Sequence, residues 1–151
     1  MLYIYILKLE NNKYYVGKTF KPIIRLNDHF ICNGSYWTKK YKPISVIDII
    51  PNADDFDEDK YTIKYMKKYG IENVRGGSFC QIILNDSNII TINQMINGNS
   101  NRCYICGDAN HFAKECIKKS YQNIELNTIN DKCNCIFSYC LIHNKNDCYF
   151  N

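Results

Sequence analysis

Two apolar runs separated by a short polar break do most to limit what this chain can become. Residues 3–9 read YIYILKL and residues 14–18 read YYVGK, with Glu10-Asn11-Asn12-Lys13 between them. Runs this rich in tyrosine and isoleucine read as strands, and a polar break of this length reads as the turn of an antiparallel hairpin. A hairpin needs a cover, and the following residues supply one. Pro22 suits the first turn of a helix. Ile23, Ile24, Leu26, Phe30 and Ile31 give that helix an apolar side, and Asn33-Gly34-Ser35 ends it. Residues 44–50 read as a third strand stopped by Pro51, and Asn52, Asp54 and Asp55 offer N-caps for a helix over 56–69 closed by Gly70. Val74-Arg75-Gly76-Gly77 reads as a turn and 87–96 as a further short helix. The expectation for residues 1–84 is an α+β domain, a three-stranded antiparallel sheet flanked by helices, in the order strand, strand, helix, strand, helix.

Composition narrows the classes that remain. The chain has 151 residues and a net charge of +4. The excess is all in residues 1–84, which hold 13 Lys and Arg against 9 Asp and Glu, while residues 85–151 hold 6 of each. That is compatible with a polyanionic partner and equally with a solvated surface. MLYIYILKLE lacks the basic start and long apolar run of a secretory signal, and no stretch approaches the length of a membrane span. Seven of the nine cysteines fall between Cys103 and Cys148. In a chain expected in an intracellular, reducing compartment, such clustering reads as metal ligation before disulfides.

The first thirty residues carry more chemistry than a hairpin and a helix require. Tyr14, Tyr15, Gly17, Lys18, Arg25 and His29 lie within one short stretch. Strand alternation puts Tyr3, Tyr5 and Leu7 on one face and Ile4 and Ile6 on the other. Tyr15 and Gly17 share a face of the second strand, and Arg25 and His29, four apart on a helix, point the same way. With Tyr3-Ile4-Tyr5, then Tyr15-Val16-Gly17, then Arg25 and His29, the region of roughly residues 1–80 resembles the GIY-YIG nuclease family, with Tyr3 standing where the family name has glycine. The resemblance implies phosphodiester hydrolysis. Arg25 would then stabilise charge on the phosphate oxygens, and Tyr5 or Tyr15 would take a proton from water, helped by Lys18 or His29. A carboxylate of the later helix would hold one Mg²⁺ or Mn²⁺. Glu58 and Asp59 both qualify for that place: Asp59 by its spacing to Ile63, Glu58 by residue type. Asn73 is a weaker match to an asparagine near some family sites.

Residues 103–116, CYICGDANHFAKEC, place Cys103, Cys106, His111 and Cys116 in a C-x2-C-x4-H-x4-C spacing. Three thiolates and an imidazole complete a tetrahedral Zn²⁺ site with no open position. The segment resembles a CCHC zinc knuckle, which implies binding of single-stranded nucleic acid, with Tyr104 and Phe112 as stacking side chains. Cys140, His143 and Cys148, with Cys133 or Cys135, offer a possible second zinc site. The organisation expected is a nuclease domain over 1–84, a helix and linker over 85–102, the knuckle over 103–116 and a Cys/His-containing tail over 117–151. The activity expected is metal-dependent endonucleolysis, of DNA before RNA. A catalytically silent scaffold that binds nucleic acid or protein is the alternative.

Overall fold

A computed structural model describes residues 1–118; the candidate second zinc set, Cys133, Cys135, Cys140, His143 and Cys148, lies outside the described residues. Strands β1 (Tyr3–Leu9) and β2 (Lys13–Thr19) form the expected hairpin. Its turn is built on Asn11 and Asn12, both with φ near +55°, a conformation asparagine tolerates better than most residues. Helix α1 (Pro22–Phe30), a short helix α2 (Tyr36–Lys40), strand β3 (Pro43–Pro51) and helix α3 (Asp57–Tyr69) follow. Strand β4 (Val74–Gly76) and helix α4 (Asp86–Gly98) complete the order.

The sheet has four strands in the order β3-β1-β2-β4. β1 pairs antiparallel with β2 and β3, whereas β4 runs parallel to β2, with Tyr14 opposite Val74 and Val16 opposite Gly76. The expected three-stranded sheet is thus extended by a strand where a turn was expected. Three residues ending in glycine carry no readable alternation, and their partner lies sixty residues away in sequence. Helix α2 was also unforeseen, because Ser35, read as a helix stop, is the N-cap of the next helix and accepts from Thr38 N at 3.3 Å.

The two faces of the hairpin are divided as the alternation requires. Ile4, Ile6, Tyr14 and Val16 face α3 and α4, where Ile63, Met66 and Ile92 close the main core with Val74, Phe79 and Leu84. Each such aliphatic side chain contributes about 1.5–3 kcal/mol by leaving water. Phe56 holds the cap position of α3, and Asp54 closes the turn before it, its Oδ1 accepting from the backbone of Phe56 and Asp57 at 2.8 and 3.0 Å. Tyr5, Leu7, Leu9 and Tyr15 face the other way and are covered by Trp37 of α2 and by Leu26 of α1. Trp37 Nε1 donates to the Tyr14 carbonyl at 3.0 Å, which fixes α2 to the sheet. Helix α1 does not bury the apolar side expected of it: Ile23 is 84 % exposed, Ile24, Phe30 and Ile31 are exposed too, and the one fully buried residue of the helix is His29.

Candidate active site and metal centre

The second face of the hairpin gathers a cluster of polar side chains. Tyr5 sits directly opposite Gly17 in the β1–β2 ladder, and Leu7 opposite Tyr15. A Cβ at Gly17 would overlap the Tyr5 hydroxyl, so glycine there lets the phenol lie across the neighbouring strand. The Tyr5 and Tyr15 rings are 6.2 Å apart between centroids, and the His29 ring lies 5.5 Å from one and 5.2 Å from the other. His29 Nε2 is 2.8 Å from Tyr5 Oη, and Nδ1 is 2.8 Å from Thr38 Oγ1. Arg25, one turn before His29 and partly exposed, puts its guanidinium against the Tyr5 hydroxyl.

Burial sets the electrostatics. It raises Tyr5 well above the usual phenol range; the neighbouring Tyr15 adds to this and Arg25 opposes it. Tyr15 is raised as well, by burial first, with the Ser35 side chain acting against the shift. Burial lowers His29 to about 4, and the Arg25 charge adds to that effect, so the imidazole is neutral at pH 7.

The two carboxylates left open by the sequence are placed differently. Glu58, half-buried at the start of α3, lies 3.8 Å from Lys18 Nζ, and its charge is felt by both Tyr5 and Tyr15. Burial raises its carboxyl above the ordinary range, against the pull of Lys18 and the Gly77 backbone. Asp59 points to the loop after β4 instead: Oδ1 accepts from Ser78 N and Oδ2 from Ser78 Oγ, each at 2.7 Å. Both its oxygens are taken up in holding that loop. Asn73 accepts from Lys13 Nζ at 2.8 Å and donates to the Tyr69 carbonyl, outside the pocket. Lys18 sits at the rim, partly exposed, with Nζ also 3.3 Å from the Asp55 carbonyl.

Sequence reasoning missed Gly34, Ser35 and Thr38, which line the far side of His29. A Ser-x-x-Thr pair opening a five-residue helix gives too little periodicity to be noticed. Arg75 was read as part of a turn. It is buried, stacked 4.5 Å over the Trp37 ring, and donates to the carbonyls of Ile71, Val74, Gln81 and Ile82. It secures the loop beside β4 and does not enter the tyrosine pocket.

The second cluster follows α4. Cys103, Cys106, His111 and Cys116 bring their ligand atoms within 4.8 Å of one another, and Cys106 Sγ is 3.3 Å from His111 Nε2. A tetrahedral Zn²⁺ with these donors needs separations of about 3.5–3.8 Å, so the set fits with small adjustment. Burial opposes ionisation of Cys103, but the backbone of Cys106 and Ile105 and the two other thiols outweigh it and draw Cys103 down to about 6. Gly107, with φ of 76°, closes the loop by donating to the Cys103 carbonyl at 2.7 Å. Tyr104 and Phe112 are 49 % and 67 % exposed, so neither is spent on a core. Before this cluster α4 runs to Gly98, and Lys67 Nζ of α3 donates to Ser100 Oγ at 2.7 Å. Among the described residues no helix is long and apolar enough to cross a membrane.

Comparison with known proteins bears on the first of these two sites. Residues 1–70 match the family model of the GIY-YIG catalytic domain. No curated protein and no solved structure matches the chain.

Proposed function

We propose, from the premise that a GIY-YIG catalytic domain occupies residues 1–70, that this chain is a divalent-metal-dependent endonuclease. One observation supports the reading above the rest: Tyr5, Tyr15, Arg25 and His29, drawn from two strands and a helix, gather on the Gly17 face of the hairpin, and the Glu58 charge at the start of α3 is felt by both tyrosines. Arg25 offers a planar fork of donors to the phosphate oxygens, where negative charge grows in the transition state. Of the two acidic candidates Glu58 is the one whose charge is felt by both Tyr5 and Tyr15, and we assign it the single Mg²⁺ or Mn²⁺. When bound, that ion would neutralise the phosphate and the leaving oxygen. Tyr5 is assigned the water proton. With its own proton held tightly by burial, it serves as a relay to a neighbouring group and not as a standing phenolate.

Cys103, Cys106, His111 and Cys116 would hold Zn²⁺ as a closed, structural site, making 103–116 a knuckle that presents Tyr104 and Phe112 to unpaired bases of the same substrate. Carrying it on the same chain raises the local substrate concentration. The layout proposed remains a nuclease unit over 1–84, a connection over 85–102, the knuckle and a tail, acting on DNA before RNA in a reducing, intracellular compartment.

Conversion of supercoiled plasmid to nicked or linear form with Mg²⁺ or Mn²⁺ tests the reading. Arg25→Ala should lower the rate by about 10²–10³-fold, and Glu58→Gln should abolish the metal-dependent cleavage. The second reading, a silent nucleic-acid-binding scaffold, draws on the deep burial of the Tyr5 hydroxyl. Salt-sensitive binding without cleavage of any DNA or RNA form would establish it in place of the first.

A further inference from the structure

His29 is a neutral histidine in full burial, and both of its ring nitrogens are engaged. A neutral imidazole carries one proton, so one nitrogen must donate and the other accept. Which is which decides whether Tyr5 gives its hydroxyl proton to His29 or receives one from it. The answer lies on the far side of the ring, in residues the nuclease reading does not use.

Thr38 Oγ1 has two close neighbours besides the serine hydroxyl: His29 Nδ1 at 2.8 Å and the Ser35 carbonyl oxygen at 3.1 Å. A carbonyl oxygen only accepts, and a threonine hydroxyl has a single proton to give. Spending that proton on Nδ1 would leave two oxygens facing each other at 3.1 Å with no hydrogen between them. Spending it on the Ser35 carbonyl is the usual behaviour of a helical threonine towards the residue three before it. It leaves the oxygen of Thr38 free to accept from Nδ1–H. Thr38 is held in this place twice more, by its backbone N–H on Ser35 Oγ at 3.3 Å and by the adjacent Trp37, whose indole is bonded to the sheet. Gly34 completes the fit, since a Cβ there would overlap His29 Nδ1.

We propose that the Ser35–Thr38 pair is a tautomer clamp: it holds His29 as the Nδ1–H form, so that Nε2 is a standing acceptor for the Tyr5 hydroxyl proton. The chain of donation then runs in one direction, from Tyr5 Oη–H to His29 Nε2, from His29 Nδ1–H to Thr38 Oγ1, and from Thr38 Oγ1–H to the Ser35 carbonyl. The Tyr5 oxygen keeps its lone pairs for the pocket side, where Arg25 lies. Its catalytic consequence, and only that, rests on the nuclease reading: a water proton can pass to Tyr5 as the Tyr5 proton passes to Nε2, leaving a hydroxide, a neutral tyrosine and an imidazolium. Thr38 is a positioning residue, since it touches neither the phosphate nor the water.

Long-range ¹H–¹⁵N correlation spectra of the ¹⁵N-labelled, zinc-loaded full chain read the tautomer directly. The wild type should show His29 with a protonated Nδ1 and a bare Nε2. Thr38→Val, which removes the hydroxyl and keeps the shape, should mix or invert the two, and Thr38→Ser should restore the wild-type pattern. In parallel, Thr38→Val should lower kcat by about 10–100-fold, by analogy with the partners that orient metal-bound histidines, with KM unchanged. A wild-type His29 protonated at Nε2 overturns the proposal whatever the activity. So does an unchanged pattern in Thr38→Val. Should that variant fail to fold, Thr38→Ser decides, because loss of the Nδ1–H form with a hydroxyl still present overturns the clamp. The expected tautomers together with no cleavage would leave the clamp standing and remove the nuclease reading.

Discussion

Lowering the pH should destabilise this fold through His29, and by an amount that the structure sets. The ring has no exposed surface, is held between Tyr5 and Thr38, and faces Tyr15. Burial and then Arg25 bring it from the ordinary 6.5 to about 4, with Asp28 opposing. The unfolded chain therefore binds a proton at this residue from about pH 6.5 downward, while the folded chain refuses it until about pH 4. The stability it contributes is fully present above pH 6.5 and drains away as pH falls through that window. Each unit of separation is worth 1.36 kcal/mol, so the interval corresponds to about 3 kcal/mol, a sizeable part of the about 5–15 kcal/mol that holds a domain together. Urea unfolding of the wild type and of His29→Gln, at steps from pH 7.5 to 4, isolates the effect. Carboxylate protonation and zinc loss act on both proteins and cancel in the difference. The wild type should lose about 3 kcal/mol relative to the variant across the range, with an unchanged denaturant slope. Arg25→Ala should narrow the window by removing the second cause. A difference that stays flat with pH would refute the placement of a neutral imidazole in a sealed site.

Other perturbations separate the roles assigned to each group. Gly17→Ala should unfold the pocket without touching α3 or α4; the check is loss of Tyr5 ring contacts in NMR, with cleavage abolished. Tyr5→Phe should cost about 10²–10⁴-fold in rate and more than Tyr15→Phe, since only Tyr5 is bonded to the histidine; equal losses in single-turnover cleavage would break that assignment. Asp59→Ala should leave the metal requirement intact and lower stability through the loss of its two bonds to Ser78, by about 1.5–3 kcal/mol, read in urea titrations. Chelation of zinc should weaken binding of single-stranded oligonucleotides without changing the fold of residues 1–76, and Tyr104→Ala or Phe112→Ala should each cost about 1–3 kcal/mol of that binding by fluorescence anisotropy.

What could be read in advance depended on how local the determining physics was. The hairpin and its two faces were legible, because alternation is a property of a few consecutive residues, and Tyr5, Tyr15 and Gly17 share a face for that reason alone. The different surroundings of Glu58 and Asp59 were not. Adjacent helical residues point about 100° apart, and which of them meets the pocket depends on where the loop at Ser78 returns to α3. Helix α1 misled for a related reason. Its isoleucines suggested an inward apolar side, but the hairpin offered a polar slot, and His29 with two hydrogen bonds filled it, turning Ile23 and Ile24 to solvent. β4 and α2 are too short to show a period, and Thr38 became visible only beside its histidine.

The division of β1 into Ile4 and Ile6 on one side and Tyr5 and Leu7 on the other gives the strand two masters. Substitutions that repack the α3 side can accumulate without being felt by the tyrosines. Gaining or losing a single residue between Tyr3 and Leu9 would turn every side chain beyond that point to the opposite face unless a bulge absorbed it. Such a strand drifts more easily in composition than in length, and a longer hairpin is absorbed most simply at its asparagine tip.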